Sequence, residues 1–292
     1  MKKTFLLPIL ICSLAAACSA HPVWKEEIRK VLHFKEPAST SKKILVDNIS
    51  GSIDVVGYDG DEVQLVVHKT IEAESERRLE EAKEKVRVDI TEEEDRVLLY
   101  VDAPWRCKDG STNFRGTEYY GFDVQCDFEL KIPKKSNVTL KTVNDGRISV
   151  RAVDGDFIVH NVNGEIEMAD IGGSGDASTV NGDVTVHFKS NPTESSSFKT
   201  VNGKVDIAFR DNLSADLRLK TFNGEAYSDF AMEPLPSKAF EVKHSKHRNV
   251  YRIGEFALVR VGKGGPELSF DTLNGNIYIA RNEGNARTNH DE

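Results

Sequence analysis

Four carboxylates, Asp156, Glu165, Asp183 and Glu225, follow glycine-containing turns in successive stretches of related sequence. Aligned along one face, such carboxylates are what a polysaccharide-cleaving β-helix needs as general acid and base. No feature of the sequence marks one of them as paired or buried, and a polar residue after Asn-Gly is more simply a solvated turn position. His244-x-x-His247 has the spacing of two metal ligands, but Lys243, Lys246 and Arg248 surround it and repel a cation. His160 and His187 fall in strand-like stretches as ordinary side chains. Gly172-Gly173-Ser174-Gly175 is glycine-rich, yet no lysine follows and no helix starts there, so it is not a phosphate-binding loop. No Gly-x-Ser-x-Gly elbow is present. The residues predict no catalytic, cofactor-binding or metal site, and a protein that is not an enzyme.

The cysteines and aromatics point to other chemistry. Residues 1–20 read as a signal peptide, with Lys2 and Lys3 ahead of an apolar stretch from Phe5 to Ala17. Leu14-Ala15-Ala16-Ala17-Cys18 resembles a lipobox that would lipidate Cys18; the alternative is cleavage before His21. An exported chain permits disulfides, and Cys107 and Cys126 are the pair left in the mature protein. Their bond would close the insert at 103–127 and remove unfolded-state entropy worth roughly 3 kcal/mol. Within that insert Trp105, Tyr119, Tyr120 and Phe122 form a candidate interaction surface, because exposed aromatics anchor interfaces. The competing reading is that these rings cap the core.

The formal net charge of -8 argues against a nucleic-acid partner, which would call for a basic face. No later stretch is long and apolar enough for a membrane-spanning helix, which leaves a lipid at Cys18 as the sole expected membrane contact.

Several elements would position these residues. Residues 21–43 read as a linker or tether, with Trp24 to His33 as a short amphipathic turn or two. Asn48-Ile49-Ser50-Gly51-Ser52-Ile53-Asp54-Val55 is a degenerate first copy of a recurring unit. Ile71, Leu79, Ala82 and Val86 fall on one helical face, predicting a helix at about 72–87 supported by the Glu81–Lys85 pair. A hairpin follows, then the insert, then a strand ending at Pro133.

The remainder repeats. Thr142-Val143-Asn144, Val162-Asn163-Gly164, Thr179-Val180-Asn181-Gly182, Thr200-Val201-Asn202-Gly203 and Thr221-Phe222-Asn223-Gly224 recur every 18 to 21 residues, and Thr272-Leu273-Asn274-Gly275 closes the series. Glycine supplies positive φ for a tight turn, and the following alternation sends pairs such as Val184 and Val186, or Val205 and Ile207, inward. Half-period echoes occur at 153–159 and 171–177. Short periods with strand alternation predict an all-β, single-stranded β-solenoid or β-helix-like roll over 44–281, preferred to an antiparallel sandwich. The stretch of about 51 residues that separates the last copy from its predecessor is expected to be a decorated coil plus a terminal cap. Residues 282–292 are expected to be a disordered tail.

With its NxxGxIxV strand, charged helix, serial TVNG units and closing Gly262-to-Ile279 segment, the chain resembles the bacterial putative-adhesin family of β-strand-repeat domains, a domain of unknown function. The insert at 103–127 departs from that pattern. The resemblance implies a β-repeat architecture. Taken with the export signal, the expected function is a non-enzymatic cell-envelope protein, in the periplasm or at the outer membrane or cell surface. It would present a rigid surface to an envelope protein or glycan. The alternatives are a carbohydrate-active β-helix enzyme and an envelope stress or signalling accessory.

Overall fold

A computed structural model describes residues 21–36, 42–106, 120–235, 241–244, 249–252 and 256–282. Cys18, Cys107, Tyr119, His247 and the tail beyond Asn282 therefore lie outside the described residues.

The chain begins with β1 (Val23–Leu32), β2 (Lys43–Asp47), β3 (Ile53–Tyr58) and β4 (Val63–Ala73). After α1 (Glu76–Lys85) come β5 (Arg87–Glu92), β6 (Arg96–Asp102) and β7 (Phe122–Pro133). The repeats supply β8 (Asn137–Lys141), β9 (Ile148–Arg151), β10 (Phe157–His160), β11 (Ile166–Ile171), β12 (Gly175–Ser178) and β13 (Val184–Phe188). They continue as β14 (Ser196–Asn202), β15 (Val205–Phe209), β16 (Ala215–Asn223) and β17 (Ala226–Ser228). The C-terminal part adds β18 (Glu233–Pro234), β19 (Glu241–His244), β20 (Asn249–Arg252), β21 (Ala257–Val261), β22 (Glu267–Asn274) and β23 (Ile277–Arg281).

These strands form two sheets. One runs β1-β4-β7-β3-β9-β11-β13-β15-β23-β17-β20-β19; the other runs β18-β21-β16-β22-β14-β12-β10-β8-β2-β6-β5. Their inner faces share one core, with Phe188 against Phe198 at 6.1 Å and Phe209 against Phe270 at 6.3 Å between ring centroids. Burying one such ring contributes about 2 kcal/mol. The inward valines and isoleucines expected from the alternation, Val184, Val186, Val205 and Ile207, are all fully buried.

The single-stranded solenoid is overturned; the all-β class stands. Two large mixed sheets replace it, parallel through the repeats and antiparallel at both ends. The half-period echoes explain the error, because β10 and β12 belong to the sheet opposite β11 and β13. Chain order also departs from spatial order. The last copy, β22–β23, inserts between its two predecessors: β22 pairs in parallel with β14 and β16, and β23 with β15 and β17. The stretch between the last two copies, expected to be a decorated coil plus a terminal cap, supplies β18 to β21, which lie at the outer end of the two sheets.

Two N-terminal expectations also shift. Trp24 to His33 is not helical: β1 pairs antiparallel with β4 along its length, from Val23 opposite Glu72 to Leu32 opposite Val63. The helix starts later than predicted because Ile71 and Ala73, buried at strand spacing, continue β4. Ser75 caps it, its hydroxyl accepting from the Arg78 N–H at 3.4 Å. Leu79 and Ala82 face the core, and the Glu81–Lys85 contact forms at 2.6 Å.

Candidate functional site

Each Thr-x-Asn-Gly corner, where the chain crosses between the sheets, makes the same contacts as its neighbours. The threonine points inward, and its hydroxyl donates to the glycine carbonyl of the adjacent rung. Thr179 reaches Gly164 O at 2.8 Å, Thr200 reaches Gly182 O at 2.7 Å, Thr272 reaches Gly203 O at 3.0 Å and Thr221 reaches Gly275 O at 2.9 Å. In the copy that lacks threonine, Asn161 Nδ2 does the same to Gly146 O at 2.8 Å. The threonine is a satisfied buried donor.

The glycine has a reason beyond the turn. A Cβ built on Gly203 would lie 2.1 Å from Gly182 O, and one on Gly182 would lie 2.3 Å from Gly164 O. Gly203 has φ near 158°, close to extended backbone. Close approach of successive rungs, more than turn conformation, requires glycine here.

The asparagines stack into an amide ladder. Asn163 donates to Asn144, Asn181 to Asn163, Asn202 to Asn181, Asn274 to Asn202 and Asn223 to Asn274, at 2.7–2.9 Å throughout. Between each inward threonine and this ladder sits an outward apolar side chain. Val180, Val201, Leu273 and Phe222 occupy four adjacent rungs and are 38%, 36%, 45% and 75% exposed. At the usual strand spacing the four span about 14 Å. Sequence reasoning missed this stripe, although alternation one step on from an inward Thr200 places Val201 outside. In the first copy the equivalent Ile49 is 5% exposed, so the stripe is covered at the N-terminal end.

The turn carboxylates serve the stack. Asp183 Oδ1 accepts from Lys204 N at 2.9 Å, and Asp156 Oδ1 accepts from Ser174 N at 3.1 Å. In the sister copies Asn276 Oδ1 takes the Glu225 N–H at 3.0 Å. Asp183, Lys204, Asn276 and Glu225 follow one another at equivalent positions, so cation and amide interrupt the acidic series. His160 shares a 2.6 Å hydrogen bond with Ser178, and its pKa is held down first by burial and then by Lys141.

The aromatic candidates come together in part. Trp105, Tyr120 and Phe122 pack mutually at 5.4–6.0 Å between centroids and lean on the core, Phe122 being buried. Trp105 Nε1 is buried without a hydrogen-bond acceptor among the described residues. Cys126 lies buried in β7 as a free thiol, so the expected disulfide is not present among the described residues, Cys107 being outside them. Burial pushes the Cys126 thiol up to about 12, against the opposing pull of Lys69.

Fold and corner together define a two-sheet, mostly parallel β-repeat protein with an exposed apolar and amide edge. No family pattern matches the chain, and no curated protein matches it either. Solved structures that resemble it over most of its length include a putative cell adhesion protein from Clostridium sporogenes, at 10% identity and a TM-score of 0.43, covering 89% of this chain and 100% of that one. A putative adhesin from Bacteroides fragilis, at 12% identity and a TM-score of 0.38, covers 87% and 97%. A putative lipid binding protein from Parabacteroides distasonis, at 10% identity and a TM-score of 0.30, covers 89% and 97%. Among the described residues no helix is long and apolar enough to cross a membrane.

Proposed function

We propose that this chain is a non-enzymatic, exported cell-envelope protein that presents its repeat corner as a rigid surface to an envelope protein or glycan. The observation behind this reading is the stripe Val180–Val201–Leu273–Phe222. It is apolar, solvent-exposed and backed by a hydrogen-bonded amide ladder that fixes its spacing. An apolar row held on a stiff frame loses little conformational entropy on contact, which favours binding. Export through residues 1–20 and lipid attachment at Cys18 belong to the same reading.

The test compares the wild-type chain with the triple variant Val201→Ser, Leu273→Ser, Phe222→Ser on glycan arrays, on isolated cell-wall material and against solubilised envelope proteins. The wild type should retain a partner that the folded triple variant loses. Equal retention by both would remove the corner from the function, and reproducible cleavage of a polysaccharide would replace the binding reading with an enzymatic one.

A further inference from the structure

On the outer face of the twelve-stranded sheet, at the end opposite the β16 and β17 rung that carries Phe222, a cleft of about 480 Å³ opens across β1, β4, β7, β3 and β9. That is the size of a small-ligand site. Two rows of side chains line it. Gln64, Lys131, Val56 and Arg151 are register partners on β4, β7, β3 and β9. Arg29, Val66, Glu129 and Asp54 form the next row.

The charges are unevenly satisfied. Arg29 bonds Glu27, and Arg147, also at the cleft, faces Asp54 at 3.6 Å. Glu129 faces His68 at 3.5 Å. Lys131 and Arg151 have no ion-pair partner among the described residues, although they flank the same exposed valine, Val56. Their Cα atoms lie two strand spacings apart, about 10 Å, so both long side chains can converge on one anion above Val56. Asp54 Oδ1 is shut off from solvent and accepts no hydrogen bond, the Arg147 contact being too long for one. Two cations without ion partners on either side of an exposed apolar side chain suit a ligand with an anionic group and an apolar face.

We propose that this cleft binds an acidic saccharide: a sugar carboxylate between Lys131 and Arg151, ring hydroxyls at Gln64, and the ring's C–H face on Val56 and Val66. A densely charged polyanion fits less well, because Asp54 and Glu129 share the cleft and the chain as a whole is acidic. A neutral sugar leaves both cations unmatched. This site is separate from the corner stripe and does not depend on it.

The experiment is isothermal titration of the full chain with trigalacturonate, with the neutral sugar cellotriose and with inorganic phosphate. Trigalacturonate should bind, more weakly as salt rises, with cellotriose and phosphate each at least tenfold weaker. The double variant Lys131→Gln, Arg151→Gln should lose at least tenfold in affinity, and Phe222→Ser should leave it unchanged. Val56→Glu, which sets a carboxylate between the two cations without removing either, should abolish binding and serves if the double variant is unstable. The proposal fails if trigalacturonate does not bind, if cellotriose binds as well, or if the cleft variants bind like wild type. Phosphate binding as tightly as trigalacturonate would reduce the cleft to a general anion site and overturn the saccharide assignment.

Discussion

At the repeat corner, Thr200, Asn202 and Gly203 make the contacts that Thr179, Asn181 and Gly182 make one rung away. At the N-terminal end the two most buried cations, Lys69 and Arg106, each have partners of their own kind. Lys69, 5% exposed, donates to Val86 O at 2.7 Å and lies 3.7 Å from Glu26 and 5.3 Å from the Trp24 ring. Arg106 pairs with Asp47 at 2.7 Å and stacks on Tyr100 at 4.4 Å. The first region holds by repetition of one neutral set of bonds, the second by individual charges placed where β1, β4, β7 and α1 close the stack. Repetition allows a copy to be inserted out of chain order, as β22–β23 is, because every rung offers the same mating surface. The closing end admits no such exchange.

The two regions should therefore respond differently to substitution. The largest effect is expected at the corner. In Gly203→Ala the new methyl meets backbone atoms, Gly182 O at 2.1 Å and its carbon at 2.6 Å, and no side chain can move aside. The rungs must separate, costing about 3 kcal/mol or more, measurable as a fall in the urea midpoint. A loss below about 1 kcal/mol would mean that rung spacing is not what selects glycine. Next comes Lys69→Ala, which strands the Val86 carbonyl and leaves a gap beneath Trp24. The expected cost is about 2–3 kcal/mol. Lys69→Met keeps the volume and should recover part of it; full recovery would make the lysine a packing residue rather than a bonding one.

How much of this was legible in the sequence follows the same division. The repeats announced strands, inward valines and a glycine at each corner, because those depend on local alternation. The helix was legible from Leu79 and Ala82, but its start was not, since Ile71 serves a strand whose partner, β7, lies some fifty residues away. The half-period echoes signalled a second short strand in each unit, but nothing local shows that these strands assemble into a sheet of their own. The inserted last copy was illegible, because its own sequence fits any rung equally well. Of the candidate sites, the aromatic cluster was named from composition, whereas the cleft arises from register across five strands. No stretch of sequence places Lys131 beside Val56 and Arg151.

Cys126 tests the closing end by titration. Its thiol is pushed up to about 12 from an ordinary 9.0, so the folded chain favours the protonated form. The stability this group contributes is intact below pH 9 and is lost as the pH rises from there toward 12, at up to about 1.4 kcal/mol per unit. Lysines and tyrosines titrate in the same range and cancel in a difference. The stability gap between wild type and Cys126→Ala should thus narrow above pH 9 in urea denaturation. Parallel curves would show that the thiol does not titrate, as it would not if it were bonded to Cys107.

The smallest stability effect is expected where the functional effect should be greatest. Phe222 is 75% exposed, the most open large apolar side chain of the corner stripe, and a ring in that position contributes little to folding. Phe222→Ser should change stability by no more than about 0.5 kcal/mol. Thr221 still donates to Gly275 O and Asn223 to Asn274, so the frame around the missing ring is unchanged. If Phe222→Ser were as costly as a core substitution, the ring would have to be packing against something in the folded chain, and the stripe would be part of the scaffold. If stability holds and retention of the envelope partner falls, the exposed apolar row is maintained for contact, because folding gives no reason to place phenylalanine, leucine and valine in water on adjacent rungs.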